Sequence, residues 1–201
     1  MRNNLFISLI IIFFSGCTQM YTPINYSPTE FKTPNDFNVS ASANFLGLSG
    51  SIAYTPFNHF FIYAEGNNMK SGSNGEKELS LAGGLGGYYA MDYSLFEIRI
   101  GYGAGNYDFA DSFYGGSDVL TIARGNYSRY YASLCYLQEF ERHKIGVFVN
   151  GGGLDNYFDY ANIHVNPHYS ILNIYSGLLF RYIIASRFRL QLSAGFNLAK
   201  V

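Results

Sequence analysis

Four histidines, His59, His143, His164 and His168, and a set of loop aspartates are the residues whose types could do chemistry in this sequence. His164 and His168 are four apart across Pro167. Four is the spacing of two zinc ligands on one helix face, but this stretch reads as a loop with neither cysteine nor acidic neighbour in register. Exposed loop histidines are therefore the expectation, and His59 and His143 fall in short turns. Asp108, Asp111, Asp118, Asp155 and Asp159 could offer oxygens to Ca²⁺, yet their spacing does not match an EF-hand loop, which leaves solvated acidic loops. His168 and Ser170 are two apart, so in a strand they share a face, and with Ser128 they are the candidates for a nucleophile and base acting on a lipid. The glycine runs Gly83–Gly87, Gly101–Gly105 and Gly151–Gly153 lack the lysine and following helix of a phosphate loop. They suit tight curvature and close approach of side chains within strands. No metal and no cofactor are expected.

The residue with the most defined chemistry is Cys17. Arg2 precedes an apolar block from Leu5 to Phe14, and Ser15-Gly16-Cys17 follows. A basic start, a short apolar core and small residues at its end describe a secretory signal. Ten helical residues rise about 15 Å, half of a hydrocarbon core about 30 Å thick, too little for a permanent anchor. Cys after Ser-Gly resembles the lipobox of bacterial lipoproteins, with Phe14 where leucine is usual. The resemblance implies cleavage before Cys17, lipidation of that cysteine with palmitate-type chains, and a mature chain of 185 residues. Thr18 rather than aspartate after the cysteine implies sorting away from the inner membrane. The organisation expected is a signal peptide over 1–16, a lipidated tether or plug over 17–36 holding Pro23, Pro28 and Pro34, and one barrel domain over 37–201.

Composition supports an envelope protein. Hydrophobic types make up 48% and charged types only 13%, against an average near 25%, so there is little to cover a water-facing surface. Nineteen Tyr and 18 Phe exclude a disordered polymer. A net charge of −1 argues against nucleic acid as a partner.

Alternation of apolar and polar residues recurs along the chain. Phe37, Val39, Ala41 and Ala43 alternate with Asn38, Ser40 and Ser42. Phe96, Ile98, Ile100 and Tyr102 alternate with Glu97, Arg99 and Gly101, and Phe188–Leu198 repeats the pattern. Nine strands are expected, at 37–44, 46–54, 59–66, 77–90, 93–105, 124–140, 144–156, 168–182 and 187–199. Short turns alternate with longer polar loops at 66–76, 106–123 and 156–167. That is the pattern of an all-β, antiparallel up-and-down outer-membrane barrel of 8–10 strands. Bacterial barrels normally have an even number of strands. Either a tenth strand lies beyond Val201, the reading we favour, or residues 37–54 form one strand and the barrel has eight.

One face of these strands is Leu, Ile, Phe and Tyr. The other carries Glu97, Arg99, Arg129, Glu139, Arg181 and Arg189 among serines and glycines, a set expected to pair inside a narrow lumen. Tyr54, Tyr88, Tyr89, Tyr93, Tyr127 and Tyr182 lie near strand ends, where interfacial girdles belong. Cys135 is expected to pack as a small apolar residue.

The run from Cys17 through a Pro/Tyr-rich tether, then Phe37–Ala43 and Leu48–Tyr54-Thr55-Pro56-Phe57-Asn58-His59, with the Gly/Tyr-rich strand 83–89 and Gly101-Tyr102-Gly103-Ala104-Gly105-Asn106, resembles uncharacterised Bacteroidota-type outer-membrane β-barrel lipoproteins. The resemblance implies a Gram-negative outer membrane, lipid attachment through Cys17 and no known activity. The function expected is structural or surface-interacting, without catalysis, in a monomer touching outer-membrane lipids and lipopolysaccharide, with the surface ligand unidentified. The alternatives are a lipid-anchored soluble periplasmic barrel holding an apolar ligand, and a lipid-modifying enzyme using the Ser–His pair.

Overall fold

A computed structural model describes residues 28–31, 33–44, 47–71, 76–111, 121–160, 168–185 and 188–200. Nine strands follow one another: β1 (Phe37–Asn44), β2 (Gly47–Phe57), β3 (Phe60–Ser71), β4 (Glu76–Met91), β5 (Ser94–Asp111), β6 (Thr121–Phe140), β7 (His143–Tyr160), β8 (His168–Ala185) and β9 (Phe188–Lys200). Each pairs antiparallel with its chain neighbours in a single sheet of order β1 to β9. The chain is all-β and barrel-like. Residues 37–44 and 47–57 pair as a hairpin, Phe37 opposite Tyr54 and Asn44 opposite Gly47, so the eight-strand alternative that merges them does not hold. Among the described residues no ladder joins β1 to β9.

Several strands run well past their expected ends. The β5–β6 ladder continues from Ala104↔Ser128 to Asp111↔Thr121, and β7 reaches Tyr160. Residues 106–111 and 121–123 therefore belong to strands and not to a loop. Beyond Ala104 the outward positions of β5 become Asn106 and Asp108. Tyr107 and Phe109 fall in the inward phase, so the polarity of the two phases inverts and the outward apolar run stops at Ala104.

Two-residue turns close one end of the sheet, at Asn58-His59, Asp92-Tyr93 and Glu141-Arg142. His59 holds φ at 64°, the left-handed conformation that tight hairpins require. Its ring stacks on Tyr89 and its Nδ1 lies 3.1 Å from the Tyr88 carbonyl. His143 stacks on Phe180 and Tyr182 at the same end. His59 is a turn residue, and His143 opens β7 directly after the Glu141-Arg142 turn.

The sheet curls, as contacts across its concave side require. Tyr63 of β3 donates to the Tyr131 hydroxyl of β6 at 2.9 Å, and Tyr131 donates to Glu65 at 2.7 Å. Three flat strand spacings would put β3 and β6 about 14 Å apart. Glycines make room for the inward rings. A Cβ on Gly86 would fall inside the Phe61 ring, and one on Gly101 would collide with the Tyr131 ring, Cζ at 2.7 Å. Large rings over glycine are a way of bending a sheet without leaving voids.

Candidate functional site

The inner face is where the charged side chains converge. Along β5, Leu95, Glu97, Arg99 and Gly103 point inward and are buried, while Phe96, Ile98, Ile100, Tyr102 and Ala104 point outward and are exposed. Strict period-2 geometry does this: once one residue is fixed, every second one follows. β6 repeats it, with Tyr127, Arg129, Tyr131, Ser133, Cys135 and Leu137 inside and Tyr130, Leu134 and Tyr136 outside. Glu97 is wholly buried, and Arg99, Arg181 and Arg129 are 3%, 4% and 5% exposed. On the opposite face Ile100 is 56% and Leu178 64% exposed.

The buried charges form two groups of two acids and two bases. In the first, Arg99 Nε donates to Glu97 at 2.6 Å, and Glu65 lies 4.0 Å from Arg99 and 3.6 Å from Arg129. The guanidinium carbon of Arg99 sits 5.1 Å from the Tyr63 ring centre, and that of Arg129 5.0 Å from the Tyr131 ring centre. These cation–π contacts add to the ion pairing. In the second group Lys144 Nζ lies 3.1 Å from both Glu139 and Glu30, and Arg181 pairs with Glu30. Burying so many charges is tolerable only because each finds an opposite charge, and Glu97, Arg99, Glu30, Lys144 and Arg181 hydrogen bonds as well.

The segment before β1 enters this interior. Pro28, Thr29 and Phe31 are buried. Thr29 donates to Glu97 Oε2 from its backbone N at 2.9 Å and its hydroxyl at 2.6 Å. Its carbonyl accepts from the Asn38 amide at 2.8 Å. Phe31 packs on Phe61 and Tyr88 with centroids 5.6 and 5.8 Å away. Residues 28–31 thus act as a plug at the short-turn end, and of the expected tether residues 28–31 and 33–36 are described.

The structure therefore brings Glu97 and Arg99 together directly and joins Arg129 to them through Glu65. It places Glu139 and Arg181 in a separate group reached through Lys144 and Glu30. Arg189 stands opposite Ile183 in the β8–β9 ladder, with its side chain outside the described residues, as is Cys17. Glu65 was readable, since it is in phase with Phe61 and Tyr63 on a strand expected to end at residue 66. Glu30 had no such signal, lying in a proline-bearing segment without periodicity. Two expectations about aromatics are corrected. Phe61, Tyr63, Tyr131 and Phe148 belong to the inner face, not the apolar one. Tyr88 and Tyr127 are buried inside and not at a girdle, whereas Tyr54, Tyr89 and Tyr93 are exposed at the short-turn end.

Towards the other end Tyr127 donates to Glu78 at 2.7 Å. The outward positions there are polar: Lys77 and Asp108 are opposite each other across β4 and β5, and the Ser170 hydroxyl donates to Asp155 at 2.6 Å. The His168 side chain, Asp111, Asp118, Asp159 and His164 lie outside the residues or side chains described. Comparison of the chain with protein-family models, with curated sequences and with solved structures finds no match.

Proposed function

We propose that this protein is an outer-membrane β-barrel lipoprotein that spans the bilayer with its strands and serves a structural or surface-interaction role. The observation that carries the reading is the inverted partition of side chains among the described residues: charges inside, an apolar belt outside. A water-soluble barrel places its residues the other way round, because an exposed belt of this extent would drive association. The height of the belt fits the same reading. From Ser94 to Ala104, β5 rises about 34 Å at ~3.4 Å per residue. At a ~40° tilt that is about 26 Å of depth, close to the ~25 Å apolar band of outer-membrane barrels. Aromatic residues stand at both margins of the belt, Tyr102 and Tyr130 on one side and Tyr89, Tyr93, Tyr136 and Phe140 on the other.

In this orientation the short turns face the periplasm, where acylated Cys17 holds the plug's N-terminal side in the inner leaflet of a Gram-negative outer membrane. The strand extensions beyond Tyr102 and Tyr130, as far as Asp111 and Thr121, then point to the cell surface, where lipopolysaccharide and surface ligands are the contacts. The plug and the paired lumen charges oppose a wide pore, and no reaction is assigned to the chain.

The test separates embedding from anchoring. Residues 1–17 are replaced by a cleavable signal without a lipidation cysteine, and outer membranes are washed with alkaline carbonate and with urea. Retention in the pellet is expected. Release as a folded soluble protein overturns the reading and turns attention to a periplasmic barrel held only by its lipid.

A further inference from the structure

We infer that Lys144 and Arg181 form a carboxylate-binding site at the short-turn mouth of the lumen, which the chain occupies with its own Glu30. The two cations are register partners on β7 and β8, face inward and are 7% and 4% exposed. Like charges directly opposite on neighbouring strands repel, and burial removes the water that would screen them. They are held together by a shared anion. One Glu30 oxygen lies 3.1 Å from Lys144 Nζ and the other pairs with Arg181. Two oxygens on two donors is the geometry by which a carboxylate ligand is recognised.

Glu30 reaches the site as a ligand does. It belongs to no strand, and its φ of 55° is a left-handed conformation that a glutamate rarely adopts and that surroundings must impose. Thr29 and Phe31 on either side supply that constraint through Glu97, Phe61 and Tyr88. Glu139 is the other acid of the group, on the far side of Lys144 and 32% exposed, so it cannot serve Arg181 as well. Withdrawing Glu30 removes the negative charge that lies between the two cations, and the vacated space adjoins an existing cavity of about 40 Å³ lined by Phe31, Leu95, Leu137, Glu139 and Lys144. The N-terminal segment is thus a self-ligand, and the site beneath it selects a small carboxylate. The inference concerns the lumen alone and holds whether or not the outer face meets lipid.

The test is chemical rescue on the full chain in detergent micelles, with thermal unfolding followed for wild type, Glu30→Ala, Glu30→Gln and the double variant Glu30→Ala/Lys144→Met. Sodium formate is the probe, and sodium chloride at equal ionic strength the control. Formate is expected to raise the Tm of Glu30→Ala saturably, by roughly 3–6 °C at ten times its dissociation constant, and to leave wild type, Glu30→Gln and the double variant where chloride leaves them. A Glu30→Ala protein that responds to formate no more than to chloride overturns the inference. So does an equal response in Glu30→Gln or the double variant, which would place the formate elsewhere. If Glu30→Ala does not survive purification, refolding yield becomes the reading: recovery with formate but not chloride supports the site, and no recovery overturns it.

Discussion

An arginine carried along the outward positions of β5 reads the environment of that face directly. The positions are Phe96, Ile98, Ile100, Tyr102, Ala104 and Asn106, each two residues and about 5 Å of depth from the next at ~3.4 Å per residue and a ~40° tilt. Ile98 and Ile100 are 44% and 56% exposed and sit at the middle of the belt. Arginine at a bilayer midplane costs about 2–4 kcal/mol, falling to about 0–1 kcal/mol near the interfaces. Because these side chains have few neighbours to lose, the same substitutions on a water-facing strand stay within about 0.5 kcal/mol of zero. The assay is urea unfolding in phosphatidylcholine vesicles, comparing each variant with wild type. A profile that peaks at Ile98 and Ile100 and returns to baseline by Asn106 is expected. A flat profile within about 0.5 kcal/mol refutes the assignment of this face to lipid, since no fold defect peaks at a chosen depth on one side of one strand.

Two further outcomes follow from the interior. Glu97→Gln takes the charge from the carboxylate that holds Arg99 and Thr29, and breaking a buried pair costs about 3–5 kcal/mol. The low end is expected because Glu65 remains 4.0 Å from Arg99, and unfolding in the same vesicles measures it; a neutral result would mean the pair does not hold the plug layer together. Gly86→Ala drives a methyl into the Phe61 ring, an overpacking worth about 1–3 kcal/mol. Combined with Phe61→Leu its cost is expected to be less than additive, and strict additivity would refute the contact.

What the sequence made legible is what period-2 geometry makes legible. Phe96-Glu97-Ile98-Arg99-Ile100 declares two faces because each alternate residue differs sharply in polarity, and the strand, its partners and its turn all follow. Where that contrast fades, the reading fades with it. At Asn106-Tyr107-Asp108 the outward positions turn polar and the aromatic moves to the inward phase, so the apolar face that marks the strand up to Ala104 does not continue. At Phe61 and Tyr63 an apolar type occupies the polar face, because Gly86, Gly84 and Gly101 on neighbouring strands leave space for a ring that no single strand reveals. Glu30 was illegible for a deeper reason. Its partners Lys144 and Arg181 are 114 and 151 residues away, and a segment without regular structure carries no periodicity to say which side it packs on.

The distribution of charge then limits what the outer face can be. The chain has 13 basic and 14 acidic residues. Nine of them, Glu30, Glu65, Glu78, Glu97, Glu139, Arg99, Arg129, Lys144 and Arg181, pair with one another or with Tyr127 on the concave side. A third of an already small charge supply is therefore spent where water is scarce. A fold selected for solubility would do the opposite, since an interior of leucine and valine packs without the desolvation penalty that every buried ion carries and frees its charges for the surface. The arrangement becomes economical only if the convex side does not need charge. On the proposed reading a lipid phase meets that condition: it accepts Ile100, Leu134 and Val147 at no cost and refuses the ions, which are left to neutralise one another inside. The plug fits the same logic, because Glu30 sets its carboxylate against both Lys144 and Arg181.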